Sequence, residues 1–263
     1  MTLNIFSFVL GAVFGSFGNV LIYRLPEGKS IGGRSRCPHC KRALGIIDLV
    51  PVLSFVVLGA RCRTCRKNIS WQYPLVEFVS GLLFLWTLHR EFTSMEAFSG
   101  YWFLQAALLA LCLWLLLLIA IVDCRTGMIP DALNIPFVLL AFLYSVLWWH
   151  VGIWFFPVFV TLVFQGALIG GGFFAVQWLV SRGRWVGSGD VILGTGIGFL
   201  LTDPLLVILA LGVSYILGAV VASVLLLMGK VTRKSHLPFG PYLVAGTFVT
   251  LFWGEQILEL LWQ

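Results

Sequence analysis

The chain has 263 residues, of which 60% are hydrophobic and only 11% charged, against roughly 25% charged in an ordinary soluble domain. This excludes a soluble globular enzyme, and eight membrane crossings at about 20 residues each leave no room for a large soluble domain. The formal net charge of +6 would suit a nucleic-acid partner, but the basic residues sit where they orient a chain in a membrane, so no nucleic-acid partner is expected.

Apolar stretches run from Leu3 to Tyr23, Pro74 to His89, Tyr101 to Val122, Leu133 to Val151, Pro157 to Val180, Val191 to Thr202, Leu205 to Met228 and Tyr242 to Trp262. They predict an all-α integral membrane protein of about eight transmembrane helices. Ten of the 17 Lys and Arg residues lie between Arg24 and Lys67; Arg125, Arg182, Arg184, Lys230, Arg233 and Lys234 fall on the same side, and only Arg90 lies opposite. By the positive-inside rule the basic side is the cytoplasm. Both termini then face out, and the outer loops hold Glu91, Glu96, Asp203, Glu255 and Glu259. The first stretch is expected to be an uncleaved span, because its start lacks a positive segment and its basic flank follows it. Trp148, Trp149, Trp253 and Trp262 near predicted helix ends suit headgroup anchoring.

One stretch is too short. Val191 to Thr202 gives about 18 Å of helix, whereas the hydrocarbon core is about 30 Å thick. Either the membrane thins there or the helix begins earlier, near Gly183, which draws Asp190 to membrane depth or its inner boundary. A carboxylate so placed is by default a functional-site candidate.

Between Arg24 and Tyr73 the composition turns polar and basic, and two knuckles appear, Cys37-Pro-His-Cys40 and Cys62-Arg-Thr-Cys65. Paired C-x-x-C knuckles bring four thiolates around one tetrahedral Zn²⁺. A disulfide pair is the competing reading, disfavoured on a reducing side, and His39 is an alternative ligand within the first knuckle. Four thiolates leave no position for a catalytic water, so the expected zinc is structural and orders a loop too small to fold by its own core. Cys112 reads as apolar filler and Cys124 as a boundary residue.

The chain has five aspartates: Asp48, Asp123, Asp131, Asp190 and Asp203. Asp203 before Pro204 reads as a helix cap, Asp131 as a first-turn carboxylate, and Asp48 as a loop turn. Asp123 closes a long apolar helix, where a negative charge opposes the helix dipole; Arg125 is the candidate compensation. Asp190 has a capping alternative after Gly187-Ser-Gly. Two carboxylates reaching one membrane face from different helices are also the minimum equipment of an aspartic peptidase, in which one is ionised and the other protonated. No Ser/His or Cys/His pair is comparably placed. The glycines Gly166, Gly170 to Gly172, Gly187, Gly189, Gly194, Gly196 and Gly198 suit close helix packing, with those near Asp190 leaving room for a substrate backbone.

Together these residues resemble the type 4 prepilin peptidases. The matching motifs are Gly15-Ser-Phe-Gly-Asn-Val-Leu-Ile-Tyr-Arg-Leu-Pro26, both knuckles, Tyr73-Pro-Leu-Val-Glu77, Asp123 through Ile129-Pro-Asp131-Ala-Leu-Asn134, Gly187-Ser-Gly-Asp190 and Pro238-Phe-Gly-Pro241. The resemblance implies a membrane aspartic peptidase with Asp123 and Asp190 as its catalytic pair and Asp131 as a further motif member. It also implies cleavage of the basic leader of prepilins or pseudopilins at the cytoplasmic face of a bacterial inner membrane, among membrane lipid. N-methylation of the new N-terminus from S-adenosylmethionine is implied as well, with Glu77 inside the corresponding pattern. The implied organisation is a first transmembrane helix (1–23), a cytoplasmic zinc-binding loop with a methyltransferase-associated region (24–73) and a seven-helix peptidase region (74–263). Two positions depart from the pattern: Gly18 stands where a larger apolar residue is usual, and Ile192 where a Lys is common. The rival classes are a transporter using intramembrane aspartates, although no internal repeat or matched broken helices are apparent, and an assembly factor that only binds pilin helices.

Overall fold

A computed structural model describes residues 2–94, 102–151, 156–232, 235 and 237–262. Glu96, Arg233, Lys234 and His236 lie outside the described residues, as do the side chains of Trp148, Trp149 and His150. The described structure is helical, with α1 (Thr2–Arg24), α2 (Leu53–Val57), α3 (Gln72–Ser94), α4 (Trp102–Thr126), α5 (Asp131–Val151), α6 (Phe156–Ser181), α7 (Ser188–Leu201), α8 (Pro204–Leu227) and α9 (Gly240–Leu261). Each predicted apolar stretch falls on one of eight helices among the described residues, α1 and α3 to α9, but not all eight are long enough to be spans. Lipid offers no partner to backbone N–H and C=O groups, so an apolar run of this length satisfies them internally as a helix.

Among the described residues, five helices are long and apolar enough to cross a membrane: α1, α4, α6 from Val160, α8 and α9. This makes the chain a multi-pass membrane protein. Large apolar side chains such as Phe6, Leu139, Leu168, Ile208 and Ile216 are exposed on these helices and on α5, as a lipid-facing surface requires.

Three expectations change. The short helix α7 does not start near Gly183. Arg182 and Gly183 both take left-handed backbone conformations (φ 51° and 74°), which end α6 in a turn, and α7 opens only at Ser188. Its 14 residues span about 21 Å, so α7 is shorter than the hydrocarbon core. Glu91 is not a loop residue: α3 continues to Ser94 and Glu91 is fully buried, while Arg90 beside it lies over the Trp86 ring at 5.4 Å. Glu255 and Glu259 are exposed residues of the last turns of α9 rather than of a loop.

The chain divides into two compact units, Met1–Trp114 and Leu115–Gln263. In the first, α1 packs on α3 with near backbone contact. A Cβ on Gly11 would lie 2.5 Å from the Ser80 carbonyl oxygen, and one on Gly15 would lie 2.6 Å from Glu77 Cα. Ser7 Oγ donates to the Phe84 carbonyl at 2.9 Å, and the Tyr23 and Tyr73 rings stack 5.4 Å apart. The Arg24 guanidinium donates to the carbonyls of Ser30, Ile31, Gly32 and Arg34, fixing the start of the intervening loop to the end of α1.

In the second unit, α6 and α7 approach through glycine. A Cβ on Gly170 would lie 2.2 Å from the Gly194 carbonyl oxygen, and one on Gly198 would lie 2.3 Å from that of Gly166. Small residues let helices approach this closely, and the contact holds the middle and C-terminal half of α7, the helix whose first turn carries Asp190. Helix α9 meets α8 in the same way, with Gly246 against Ser214.

Candidate active site

Asp123 sits in the last turn of α4, which ends where Gly127, with φ 66°, donates to the Asp123 carbonyl at 2.8 Å. Its side chain is buried, the residue being 4% exposed. The carboxylate opposes the dipole of its own helix, but Oδ2 accepts the backbone N–H of Gly240 at 2.8 Å, at the first residue of α9. The positive end of one helix thus offsets the negative end of another.

Asp190 lies in the first turn of α7, half-buried. Its Oδ2 accepts the Gly187 N–H at 3.0 Å, while its own N–H donates to the Gly187 carbonyl at 3.2 Å. Asp190 therefore caps its helix, as the capping alternative held, and remains close enough to Asp123 for the charge of one to act on the other. None of the ion pairs among the described residues involves Asp190, consistent with Ile192 in place of a basic residue.

Two further contacts hold the start of α7. Asn134, fully buried in the first turns of α5, donates through Nδ2 to the Gly189 carbonyl at 2.8 Å, and Ile129 packs against Gly189. Asp131 is an exposed first-turn residue of α5. Asp203 accepts the Leu205 N–H at 2.8 Å as the N-cap of α8.

Phe174, Phe239 and Tyr215 form a ring cluster in this unit, with Phe239 and Tyr215 centroids 4.9 Å apart. Tyr215 donates to Gln177 at 3.1 Å and lies within the electrostatic reach of Asp190. Sequence reading gave roles to neither Asn134 nor Gly240, although both stand inside quoted motifs, and it did not single out Tyr215. Their partners are 55, 117 and 38 residues away, beyond any local spacing signal.

In the first unit, the sulfurs of Cys37, Cys40, Cys62 and Cys65 all lie within 4.8 Å of one another, with Cys37 and Cys65 at 3.9 Å. A tetrahedron with Zn–S near 2.3 Å puts its sulfurs about 3.8 Å apart, so the residues fit the ion. The four-sulfur group does not include His39, and all six cysteines are free of disulfides.

Each knuckle is built the same way. Cys37 N–H donates to the Arg42 carbonyl and Cys62 N–H to that of Lys67. Lys41 and Arg66 take left-handed conformations at equivalent places, and bridges Arg36·Ala43 and Arg61·Asn68 close the two turns. The backbone N–H groups of Cys65 and Thr64 pull the Cys62 thiol down to about 6. Cys65 is pushed up to about 11, the Lys67 N–H notwithstanding, by burial and by the neighbouring sulfurs. Four sulfurs this close ionise together only with a cation among them. Asp48 ties the knuckles to each other, accepting from Arg42 at 2.6 Å and Arg63 at 2.8 Å. It is more than the loop turn its sequence context suggested.

Residues 9–91 match the bacterial peptidase A24 N-terminal domain, and residues 110–223 match the type IV leader peptidase family. A protein of Bacillus subtilis (strain 168) named prepilin leader peptidase/N-methyltransferase is 32% identical over 96% of this chain and 95% of its own length. Proteins of the same name from Burkholderia pseudomallei (strain 1026b) and Stutzerimonas stutzeri are 34% and 31% identical, covering 97% and 95% of this chain and 87% and 90% of their own. The chain belongs to the type IV leader peptidase family. No solved structure matches it. For this leader peptidase family member, the transporter reading has no support in these matches.

Proposed function

We propose that this leader peptidase family member cleaves the basic leader from type IV prepilins, type II secretion pseudopilins or both at the cytoplasmic face of the inner membrane, and then methylates the new N-terminal amine. The observation that carries the peptidase reading is the pairing of Asp123, seated on the N-terminus of α9, with Asp190, seated at the N-terminus of α7, within electrostatic reach of each other. Two carboxylates so related share one proton more readily than they carry two charges. The ionised member takes a proton from water, whose oxygen attacks the scissile carbonyl carbon, and the protonated member donates to the carbonyl oxygen. The tetrahedral intermediate then collapses, the C–N bond breaks, and the departing amine takes a proton from the dyad.

The leader stays in the cytoplasm in this scheme while the apolar helix of the substrate lies in lipid. Basic loops face the same side, and both termini face out. The region 74–263 carries the peptidase chemistry, and the loop 24–73, together with the ends of α1 and α3 that flank it, serves the methylation.

Cys37, Cys40, Cys62 and Cys65 would hold a structural Zn²⁺, which supplies positive charge to the crowded thiolates and no water-activating position. S-adenosylmethionine would supply the methyl group. The relatives' printed name, which joins the two activities, supports both halves.

The test is mass spectrometry of a purified prepilin after incubation with the purified chain. Loss of the leader followed by a gain of one methylene in mass is the expected result. Intact prepilin with a folded wild-type chain overturns the peptidase assignment, and a shortened but unmethylated product overturns the second half alone.

A further inference from the structure

The first unit encloses a cavity of about 450 Å³ between α1, α3 and the knuckle loop, within the roughly 300–1,000 Å³ of ordinary small-molecule sites. Asn19 on α1 and Glu77 on α3 line it. Asn19 is 3% exposed. Its amide nitrogen donates to the Gly15 and Tyr73 carbonyls at 3.3 and 3.1 Å, but Oδ1 is a buried acceptor with no donor among the described residues. Buried polar groups are almost always paired, and one left unpaired among the described residues calls for a partner.

Glu77 is 9% exposed, and its Oε2 accepts the Val52 N–H at 2.8 Å. None of the ion pairs among the described residues reaches it. Asp48, the other carboxylate on the wall, is already matched by Arg42 and Arg63, so Glu77, which accepts from the Val52 N–H and the Ser16 hydroxyl, is the wall carboxylate without a basic partner among the described residues. Beside it Tyr23 and Tyr73 stack with their planes 14° apart, and Arg36 and Lys67 stand elsewhere on the lining.

A carboxylate without a basic partner and an orphan carbonyl call for a ligand that brings positive charge and N–H donors. Flat aromatic faces and separate basic groups add a planar ring and a carboxylate to that description. S-adenosylmethionine carries all four features, as a sulfonium, an α-ammonium, an adenine and a carboxylate. The geometry points to this cavity as the methyl-donor site, with Glu77 and Asn19 receiving the cationic part of the donor and the Tyr23–Tyr73 pair its ring. This inference rests on the methyltransferase half of the proposed function and gives it a location.

The experiment uses the full-length, zinc-loaded chain in detergent. Donor binding is measured by calorimetry, and radiolabelled S-adenosylmethionine is cross-linked by ultraviolet light and mapped by peptide mass spectrometry. The label is expected on the peptide containing Tyr23 or the one containing Tyr73. Glu77→Gln is expected to weaken donor binding at least tenfold with zinc content unchanged, and Asn19→Leu to weaken it by a similar factor. If either variant loses its zinc, the cross-link map of the wild-type chain decides alone. Label confined to peptides outside the cavity, in a chain that still methylates cleaved prepilin, overturns the location and leaves the methyltransferase reading standing. A wild-type chain that neither binds the donor nor methylates overturns both.

Discussion

The backbone N–H of Gly240 donates to Asp123 Oδ2 at 2.8 Å, and a Cβ added to Gly240 would lie 2.6 Å from that same oxygen. The first residue of α9 therefore both charges and shapes the seat of the carboxylate, and only glycine lets the backbone come so near. Gly240→Ala keeps the N–H but pushes the carboxylate aside. Because about 1 Å of misplacement can cost on the order of 10²-fold in rate, prepilin cleavage is expected to fall about 10- to 100-fold. Circular dichroism should show unchanged helix content, so that the loss reports the seat and not the fold.

Asp123→Asn and Asp190→Asn remove the shared proton in different ways but disable one unit. Each should lower cleavage by about 10²–10⁴-fold or more, and the double variant should be no worse than the poorer single one, because residues acting as a unit are non-additive. Single-turnover cleavage followed by mass spectrometry checks this. Losses that multiply would mean the two carboxylates act independently.

Much of the helical layout was legible because lipid forces it: long apolar runs have no other way to satisfy their backbones. The two acids were legible because acids are scarce in such a chain and each needs a reason. The start of α7 was not, since it depends on the left-handed turn at Arg182 and Gly183 and on the Asp190–Gly187 cap, both of which lie outside the apolar pattern. The burial of Glu91 and the cavity beside Glu77 depend on which helices pair, and periodicity within one helix carries no such information. The Gly240 contact to Asp123 spans 117 residues and becomes visible only when α4 and α9 are placed.

The four sulfurs should hold about one zinc per chain. Chelation, or Cys62→Ser, removes a ligand set whose binding free energy is folding free energy for a segment this small. Trypsin sites between Arg24 and Lys67 are then expected to open at least tenfold faster, while sites in the second unit keep their rates. Metal analysis beside timed digestion separates this structural role from a catalytic one, in which cleavage of prepilin would stop with the loop still protected.

Asp48 allows the acid sensitivity of that loop to be divided. Burial raises its carboxyl, but the Gly45 N–H and the Arg63 and Arg42 guanidinium groups outweigh burial and hold it below the ordinary carboxylate value. A lowered folded pKa means that its contribution is complete above the unfolded value, near 4, and disappears only as pH falls through the folded value. Asp48→Asn should therefore speed proteolysis of the loop severalfold, by the same factor at pH 6 and pH 8. Loop opening between about pH 4 and 6 in the wild-type chain then belongs to thiolate protonation and zinc release. An Asp48→Asn effect that grows steeply across that window would contradict this sign.

Gly198 tests the packing that places Asp190. A Cβ there would stand 2.3 Å from the Gly166 carbonyl oxygen and 2.5 Å from its carbon, so Gly198→Ala has to separate α6 from α7. Overpacking of this kind typically costs about 1–3 kcal/mol. Because α7 carries Asp190 at its first turn, the same shift should also slow cleavage. Gly212 is the control: nothing lies within 4 Å of a Cβ built on it, and Gly→Ala inside a helix gains roughly 0.5–1 kcal/mol. Thermal unfolding in detergent should therefore move in opposite directions for the two alanines. Only Gly198→Ala should lose activity, because only there does the added methyl push on the helix that bears the carboxylate.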